Sequence, residues 1–475
     1  MATTKKTKIV ATLGPACDSA EMIEKMSIAG VNVFRINFSH ANYDNVKRMV
    51  KDIREMNERL EHNVAILADL QGPKLRVGDM GEGVLLKNGA TFTFTTQECK
   101  GTVEKAYMTY QQFPQDVKVG EFILVDDGKL KFEVIETNGI DNVTTKVLVG
   151  GILNSKKGVN LPNTKISQPA LTQKDIADAI FAIEIEVDWI ALSFVRKPKD
   201  LKQLKKLIEV HSPVKIPIIA KIEKPEAINN IDKIVKHCDG LMVARGDLGV
   251  ELPMEEVPLI QKMLVDKAKS ARIPVIIATQ MMETMIENTV PTRAEVNDVA
   301  NSIMDGADAV MLSGETSVGK YPVGVIQQMR RIIEKVENSS RISVPKKAPH
   351  IKTDRYITKS VCYHAALMAD DVSAKAIQTL TNSGYTAFQI SAWRPNANIL
   401  AYTSNKRILS RLNLLWGVKA FYYDKMESTD LTVEHLIKSA VETGYAKKND
   451  LVITLSSMPV NEKGMVNTLR LTQIE

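Results

Sequence analysis

The sequence predicts an α/β protein built on a closed (β/α)8 barrel of the TIM type, with an inserted all-β lid domain and a C-terminal α/β domain. Three observations predict it. Eight short apolar runs alternate with helical segments, one long stretch of short strands and turn signals interrupts that rhythm, and polar residues gather at the C-terminal ends of the runs.

Length sets the number of cores. At 475 residues the chain exceeds what a single core supports, and three domains are expected: a barrel from residues 1–72 and 169–343, a lid at 73–168 and a C-terminal α/β domain at 344–475. Lys plus Arg number 62 against 56 for Asp plus Glu, so a net charge of +6 is spread thinly and argues against nucleic acid as a partner. It is compatible with small phosphorylated substrates. Cys17, Cys99, Cys238 and Cys362 stand far apart, with no C-x-x-C pair and no zinc spacing, so a reducing, cytoplasmic setting is expected. The first residues lack the apolar core of a signal peptide, and no apolar run approaches a membrane span, so neither processing nor membrane association is expected.

In chain order, the runs at 9–13, 33–39 and 65–70 read as the first three barrel strands. After the interruption come 189–195, 216–223, 240–247, 274–280 and 309–314, which makes eight. A doubly wound open sheet is the alternative on this pattern. Between Gly72 and Gln168 the spacing loses its helical period and carries Asp127-Gly128 and Asn138-Gly139, dipeptides suited to hairpins. The insertion comes after the third strand, at the mouth end of the barrel, where it can serve as a lid or stand as a passive insertion. Pro345-Lys-Lys-Ala-Pro349 reads as a linker. Beyond it a helix near 360–369 and strands near 376–380, 399–402, 418–422 and 450–454 form another α/β unit, and no internal repeat is present.

The fifth and sixth runs end in charge: Ile216-Pro-Ile-Ile-Ala-Lys221-Ile-Glu223 and Gly240-Leu-Met-Val-Ala-Arg245-Gly-Asp247. Residues two apart in a strand share a face, so Lys221 and Glu223 project together and Asp247 reaches the same mouth from the neighbouring strand. Two carboxylates beside one ammonium suit a divalent metal and an anionic substrate, with Gly246 leaving its N–H open to close approach. A structural ion pair or solvated loop residues would give the same pattern for Lys221 and Glu223 alone. Thr12, Asp69, Ser193, Thr279 and Ser313 with Glu315 fall at the same strand ends, and Arg35, Asn37 and Ser39 alternate with Ile36 and Phe38 on one face of the second run. Taken singly each reads as a cap or a solvated side chain, Ser313 above all. Converging from many strands, they make a site.

These residues resemble the pyruvate kinase family over essentially the whole chain. The resemblance is carried by Phe34-Arg-Ile-Asn-Phe-Ser-His40, Asp69-Leu-Gln-Gly-Pro-Lys-Leu-Arg76, Lys156-Lys-Gly-Val-Asn-Leu-Pro162, Ala220-Lys-Ile-Glu223, Met242-Val-Ala-Arg-Gly-Asp-Leu-Gly249, Ala278-Thr-Gln-Met281, Pro291-Thr-Arg-Ala-Glu295 and Met311-Leu-Ser-Gly-Glu-Thr316. It implies phosphoryl transfer from phosphoenolpyruvate to ADP, giving pyruvate and ATP, in a homotetramer. It further implies that Glu223 and Asp247 hold Mg²⁺, with Mn²⁺ an alternative, that Arg35 and Lys221 neutralise the moving phosphoryl group, and that Lys221 also stabilises the enolate. Thr279 is implied to help deliver the enolate's proton, the N–H groups of Gly246 and Asp247 to hold its carboxylate, and Asn37, His40, Arg76 and Lys157 to face the nucleotide. A metal-dependent lyase or aldolase acting on a pyruvate enolate, and a catalytically silent protein on the same fold, are the competing readings. The inserted lid opposes the first, and the joint presence of Arg35, Lys221, Glu223, Asp247 and Thr279 opposes the second.

Two departures from the family pattern carry expectations of their own. Many members place a monovalent cation beside Asn37, Ser39 and Asp69, next to a Thr where this chain has Leu70 and a Glu where it has Lys74. A lysine ammonium reaching the acid end of Asp69 would replace the ion, so activity without K⁺ is expected. In the C-terminal domain, Thr381, Asn382, Ser383, Gly384 and Thr386 match the family's effector phosphate loop, and a phosphorylated effector is expected there. The partner loop differs, with Ser457 where Gly is common and Val466 where Thr is common, which leaves sugar phosphates and nucleotide monophosphates both open.

Overall fold

A computed structural model describes residues 5–339, 348–349, 354–425, 428–458 and 465–475. The expected linker lies mostly outside the described residues, as do Pro459 and Gly464 of the expected partner loop.

Eight parallel strands close into a barrel in chain order: Lys8–Thr12, Val33–Asn37, Ala65–Asp69, Trp189–Leu192, Ile218–Ile222, Gly240–Ala244, Val275–Ala278 and Ala309–Leu312. The last pairs with the first, Lys8 opposite Ala309, so the sheet has no edge and the open doubly wound alternative is excluded. Residues facing inward meet one another and residues facing outward meet helices, which is why these strands read as continuous apolar runs. The helix Tyr43–Leu60 shows the other half of the pattern: Val46, Met49, Val50 and Ile53 are buried at helical spacing, and the Asn42 side chain caps the N–H groups of Asp44 and Asn45. Val10, Leu67, Trp189, Ile219, Met242 and Met311 fill the barrel interior, and Leu414 of the C-terminal domain joins them at its floor.

The second and sixth strands end earlier than expected. The sixth strand stops at Ala244, and Arg245–Glu251 is a short helix, so Asp247 projects from a helical first turn and not from the strand. Likewise the second strand stops at Asn37, and Phe38–His40 is a 3₁₀ turn that takes Ser39 off the strand face. A strand buried on both faces has no place for an unpaired charge or polar group, so the chain leaves it at the last residue the mouth can accommodate. The stretch from Lys224 to Cys238 folds as two short helices, Pro225–Asn229 and Ile231–Ile234.

Between the third and fourth barrel strands lies the all-β insertion, a six-stranded sheet with a two-stranded companion. Asp127-Gly128 joins the antiparallel pair Phe122–Val125 and Leu130–Thr137, and Asn138-Gly139 joins the latter to Asn142–Val149, as the dipeptides predict. Phe92, Phe94, Phe113 and Phe132 make its core. It touches the barrel mouth through Asn160, whose amide donates to Glu251 Oε1 at 2.9 Å, and through Arg196, which donates to the carbonyls of Ile166 and Gln168 at 2.6 Å.

The C-terminal sheet runs in the order Val418–Tyr422, Asn398–Thr403, Ala376–Leu380, Leu451–Ser456 and Thr468–Gln473, the last antiparallel. It covers the opposite end of the barrel. Lys8 Nζ donates to Val418 O at 2.8 Å, and Arg394 pairs with Asp308 at 2.9 Å. Among the described residues no helix is long and apolar enough to cross a membrane.

Candidate active site

Residues from the ends of successive barrel strands meet at the mouth. Lys221 Nζ lies 2.9 Å from Glu223 Oε1, 3.2 Å from Asp69 Oδ1 and 2.7 Å from Ser193 Oγ. Arg35 donates through Nε to Asp69 Oδ2 at 2.6 Å and through Nη1 to Thr12 Oγ1 at 3.0 Å. Glu223 Oε2 accepts from the Phe194 N–H at 2.7 Å. The strand period of two sets Lys221 and Glu223 side by side, as the sequence predicts, but the second acid paired with the ammonium is Asp69 and not the expected Asp247, which the short helix after the sixth strand carries away from contact.

These groups set one another's charge. Burial alone would push the Lys221 ammonium down, but the Asp69 and Glu223 carboxylates outweigh it and hold its pKa above that of an ordinary lysine. Burial pushes the Asp69 carboxyl up, and Lys221 and Arg35 together bring it below the usual range. For Glu223 burial dominates, Lys221 only partly offsets it, and the repulsion of Asp247 adds to the rise. Lys221 is therefore a fixed cation at neutral pH, not a base.

Glu223 and Asp247 fit a divalent ion. The Asp247 carboxylate makes no hydrogen bond or ion pair among the described residues, yet its charge reaches both Glu223 and Lys221. No group of three or more potential ligand side chains surrounds them among the described residues. Two carboxylates suit Mg²⁺, which keeps waters and substrate oxygens in its remaining positions.

Thr279 comes directly after the seventh strand at φ 70°, and Gln280 is next at 55°. The Gly246 N–H, expected to be open, donates to Thr279 Oγ1 at 2.7 Å. The close approach explains the glycine, because a Cβ there would stand 3.3 Å from that oxygen. Glu315 is buried and accepts from the N–H groups of Ser313 and Met282, so this strand end is a structural brace.

The residues matched to the nucleotide side are spread from the end of the second strand, where Asn37 stands opposite Asp69, to the lid. Asn37 Oδ1 accepts from the Ser39 N–H at 3.1 Å, and the side chain of His40 lies outside the described residues. Arg76 donates to Lys156 O at 2.8 Å, while Lys157 pairs with Asp126 at 2.8 Å, a contact within the lid. The expected meeting of Lys74 with Asp69 does not occur. Asp69 is 1% exposed and already paired with Arg35 and Lys221, and the Gly72-Pro73 turn carries Lys74 outward, where it is exposed. Lys74 instead lines a cleft of about 60 Å³ between lid and barrel with Phe194, Lys224, Asn160 and Asp247. Leu70, buried at 1%, offers no side-chain oxygen.

In the C-terminal domain the Gly384 N–H donates to Thr381 Oγ1 at 2.9 Å, and Gly384 takes φ 82° before the helix Tyr385–Ala392. Asn382 and Ser383 are exposed and Thr386 is buried. The Val466 carbonyl accepts from Thr358 Oγ1 at 3.1 Å, so that part of the partner loop is tied to the domain core.

Sequence reasoning gives no role to three features of the mouth: the Phe194 N–H, the guanidinium of Arg245, and a buried pair in which Lys224 lies 2.5 Å from Glu251. Backbone donors leave no residue-type signal, but Arg245 stands in plain view beside Gly246. A cavity of about 1290 Å³, much larger than the cleft beside Asp247, lies at the other end of the barrel against the C-terminal domain, away from these charges. Convergent chemistry, not volume, marks the site.

Comparison with known proteins gives a consistent answer. The family description "Pyruvate kinase, barrel domain" matches residues 4–326, and "Pyruvate kinase, alpha/beta domain" matches residues 359–472. The chain is 43% identical to a pyruvate kinase of Geobacillus stearothermophilus over 98% of this chain and 80% of the relative. It is 41% identical to one of Mycobacterium tuberculosis over 99% of both. The crystal structure of a pyruvate kinase from Cryptosporidium parvum superposes with a TM-score of 0.91 at 32% identity, covering 99% of this chain and 96% of that one.

Proposed function

The chain belongs to the pyruvate kinase family and moves the phosphoryl group of phosphoenolpyruvate to ADP, and from this premise we propose how its residues divide that work. The observation that carries the assignment is the Lys221 ammonium, fixed between Asp69 and Glu223 at the barrel mouth with Arg35 beside it. Phosphoryl transfer needs positioning and charge neutralisation more than covalent help. Glu223 and Asp247 would hold Mg²⁺, with Mn²⁺ an alternative, and the ion supplies Lewis-acid neutralisation to the substrate's oxygens.

Lys221 and Arg35 are the protein's own cations for the transferring group. Because Lys221 stays charged at neutral pH, it acts as an electrostatic stabiliser of the phosphoryl group and of the enolate that remains. The N–H groups of Gly246 and Asp247 hold the substrate carboxylate. When Gly246 turns its donor to that carboxylate, the Thr279 hydroxyl, which itself donates to Ala278 O at 2.6 Å, turns from that carbonyl toward the enolate carbon, where it orders the water that delivers the proton. Asn37, His40, Arg76 and Lys157 face the nucleotide, with Lys157 leaving Asp126 as the lid closes. Lys74 supports the reading that K⁺ is not required, since it brings a tethered cation to the same cleft as Asp247. The loop 381–386 receives a phosphorylated effector, and the working assembly is a homotetramer.

A coupled assay for pyruvate tests the assignment of Lys221. Lys221→Met should fold, retain the two acids, and lose roughly two to three orders of magnitude in turnover, about 3–4 kcal/mol of barrier. Turnover near that of the unaltered enzyme would rule Lys221 out.

A further inference from the structure

We propose that Arg245 is a positioning residue for the proton-delivery step: it holds Thr279 in its left-handed backbone conformation, and Asp298 fixes the arginine. The inference rests on the placement of Thr279 at the enolate carbon and deepens it. Thr279 and Gln280 are consecutive residues with φ of 70° and 55°, a region that β-branched side chains avoid. Something outside the loop must hold them there. The Arg245 guanidinium does so directly, donating through Nη2 to Thr279 O at 2.7 Å and reaching Gln280 O at 3.4 Å and Met281 Sδ at 2.9 Å.

The same guanidinium is locked from its other side. Nη1 and Nη2 donate to the two oxygens of Asp298 at 2.7 and 2.8 Å, a forked pair with a defined plane. The next residue completes the grip, because the Gly246 N–H holds Thr279 Oγ1 at 2.7 Å. Thr279 is thus pinned at its carbonyl by residue 245 and at its hydroxyl by residue 246, and residue 247 is the acid assigned to the metal. When substrate takes the Gly246 donor, the hydroxyl keeps its bond to the neighbouring Ala278 carbonyl at 2.6 Å, and the Arg245 contact is the one from outside the loop that remains. The plain alternative is an ion pair of little consequence, and Asp298 is indeed 34% exposed. Arg245 itself is only 12% exposed, and its contacts to the loop carbonyls are ones no lysine can reproduce, since an ammonium has no planar fork.

The proton step can be read without phosphoryl transfer. Loss of a methyl proton from pyruvate to water leaves the enolate, and return of a deuteron from D₂O at the same carbon gives labelled pyruvate, so methyl exchange monitored by proton NMR with Mg²⁺ present measures it. Arg245→Lys should slow this exchange and kcat by about ten- to a hundredfold, the cost of a reacting group displaced by about 1 Å, with KM for phosphoenolpyruvate changed less than about threefold. Combined with Thr279→Ala, it should slow exchange no further than Thr279→Ala alone. Asp298→Asn keeps the arginine and should show a smaller loss in the same direction, which separates positioning from misfolding.

Additive losses in the double variant would overturn the proposal. So would exchange within about threefold of the unaltered enzyme in Arg245→Lys when Thr279→Ala has lost it, or a weakening of Mn²⁺ binding by electron paramagnetic resonance as large as the loss of rate. Undiminished exchange in Thr279→Ala would instead remove the placement of Thr279, and the proposal with it, so the two failures are told apart.

Discussion

Asp69 sits 1% exposed between Arg35 and Lys221, a carboxylate whose charge is already answered by the protein itself. That bears on the monovalent ion. Binding K⁺ would require an oxygen cage around a site that has a leucine at position 70 and a further cation, Lys74, at the edge of the same mouth. Initial rates in buffer free of potassium and sodium should therefore match those in KCl at equal ionic strength. Activation of the unaltered enzyme by more than about tenfold, a change of about 1.4 kcal/mol in barrier, would defeat this. At this scale strand period and side-chain chemistry are legible in the sequence, and they place Lys221 beside Glu223, but the pairing of Asp69 with Arg35 and Lys221 is not legible there. Where a long side chain ends is not legible, so Lys74, expected at Asp69, lies exposed instead. Nor is the positive φ of Thr279, because no residue type announces a left-handed threonine.

The segment leading into the first strand is unusual for its element: Lys5 and Lys8 are buried against the C-terminal domain. Burial, with the nearby charge of Lys419 and in spite of Glu337, lowers the Lys5 pKa from 10.5 to about 7, and Lys6 is lowered mainly by burial to about 8. In the unfolded chain these amines hold their protons to about 10.5, so above pH 7 the unfolded state binds more protons and stability rises with pH, lost again as pH falls toward 7. The slope eases above about 9, where the thiols of Cys238 and Cys362 would ionise only in the unfolded chain, burial having pushed both up to about 12 in the fold. Thermal midpoints at constant ionic strength should climb between about pH 7 and 8.5, and Lys5→Met should flatten that slope by up to about 1.4 kcal/mol per pH unit. A midpoint that is flat or falls in the unaltered enzyme, or a slope unchanged in the variant, would contradict it. All eight barrel strands are legible because each is apolar on both faces, whereas the ends expected for the second and sixth lie two or three residues beyond Asn37 and Ala244. Apolar period says where a strand must be buried, not where the chain turns away. The buried lysines are hidden for a related reason: a lysine at the start of a strand reads as solvated until another domain covers it.

Over the whole molecule, the floor and the mouth of the barrel are joined by single strands. Phe388 lies on the helix Tyr385–Ala392, which begins at the end of the loop matched to the effector phosphate, and its ring stands 6.3 Å from that of Trp189 at the barrel floor. Trp189 opens the fourth strand, and just past the end of that strand Ser193 accepts from the Lys221 ammonium at 2.7 Å, while the Phe194 N–H holds Glu223. A rigid strand thus connects the helix that follows the loop matched to the effector phosphate to Lys221 and Glu223. Physical continuity alone is not coupling, and the connection is tested by cutting it. Phe388→Leu keeps an apolar side chain in place but removes the ring contact with Trp189. If the effector acts along this strand, AMP or sugar phosphates should bind the variant within about threefold of their original affinity by calorimetry, since the loop itself is untouched. Their effect on the apparent KM for phosphoenolpyruvate should shrink, by up to the roughly 5- to 150-fold typical of allosteric coupling of about 1–3 kcal/mol. Binding and KM shift both preserved would exclude Phe388 from the route, and binding lost together with the shift would place the substitution in the effector site itself.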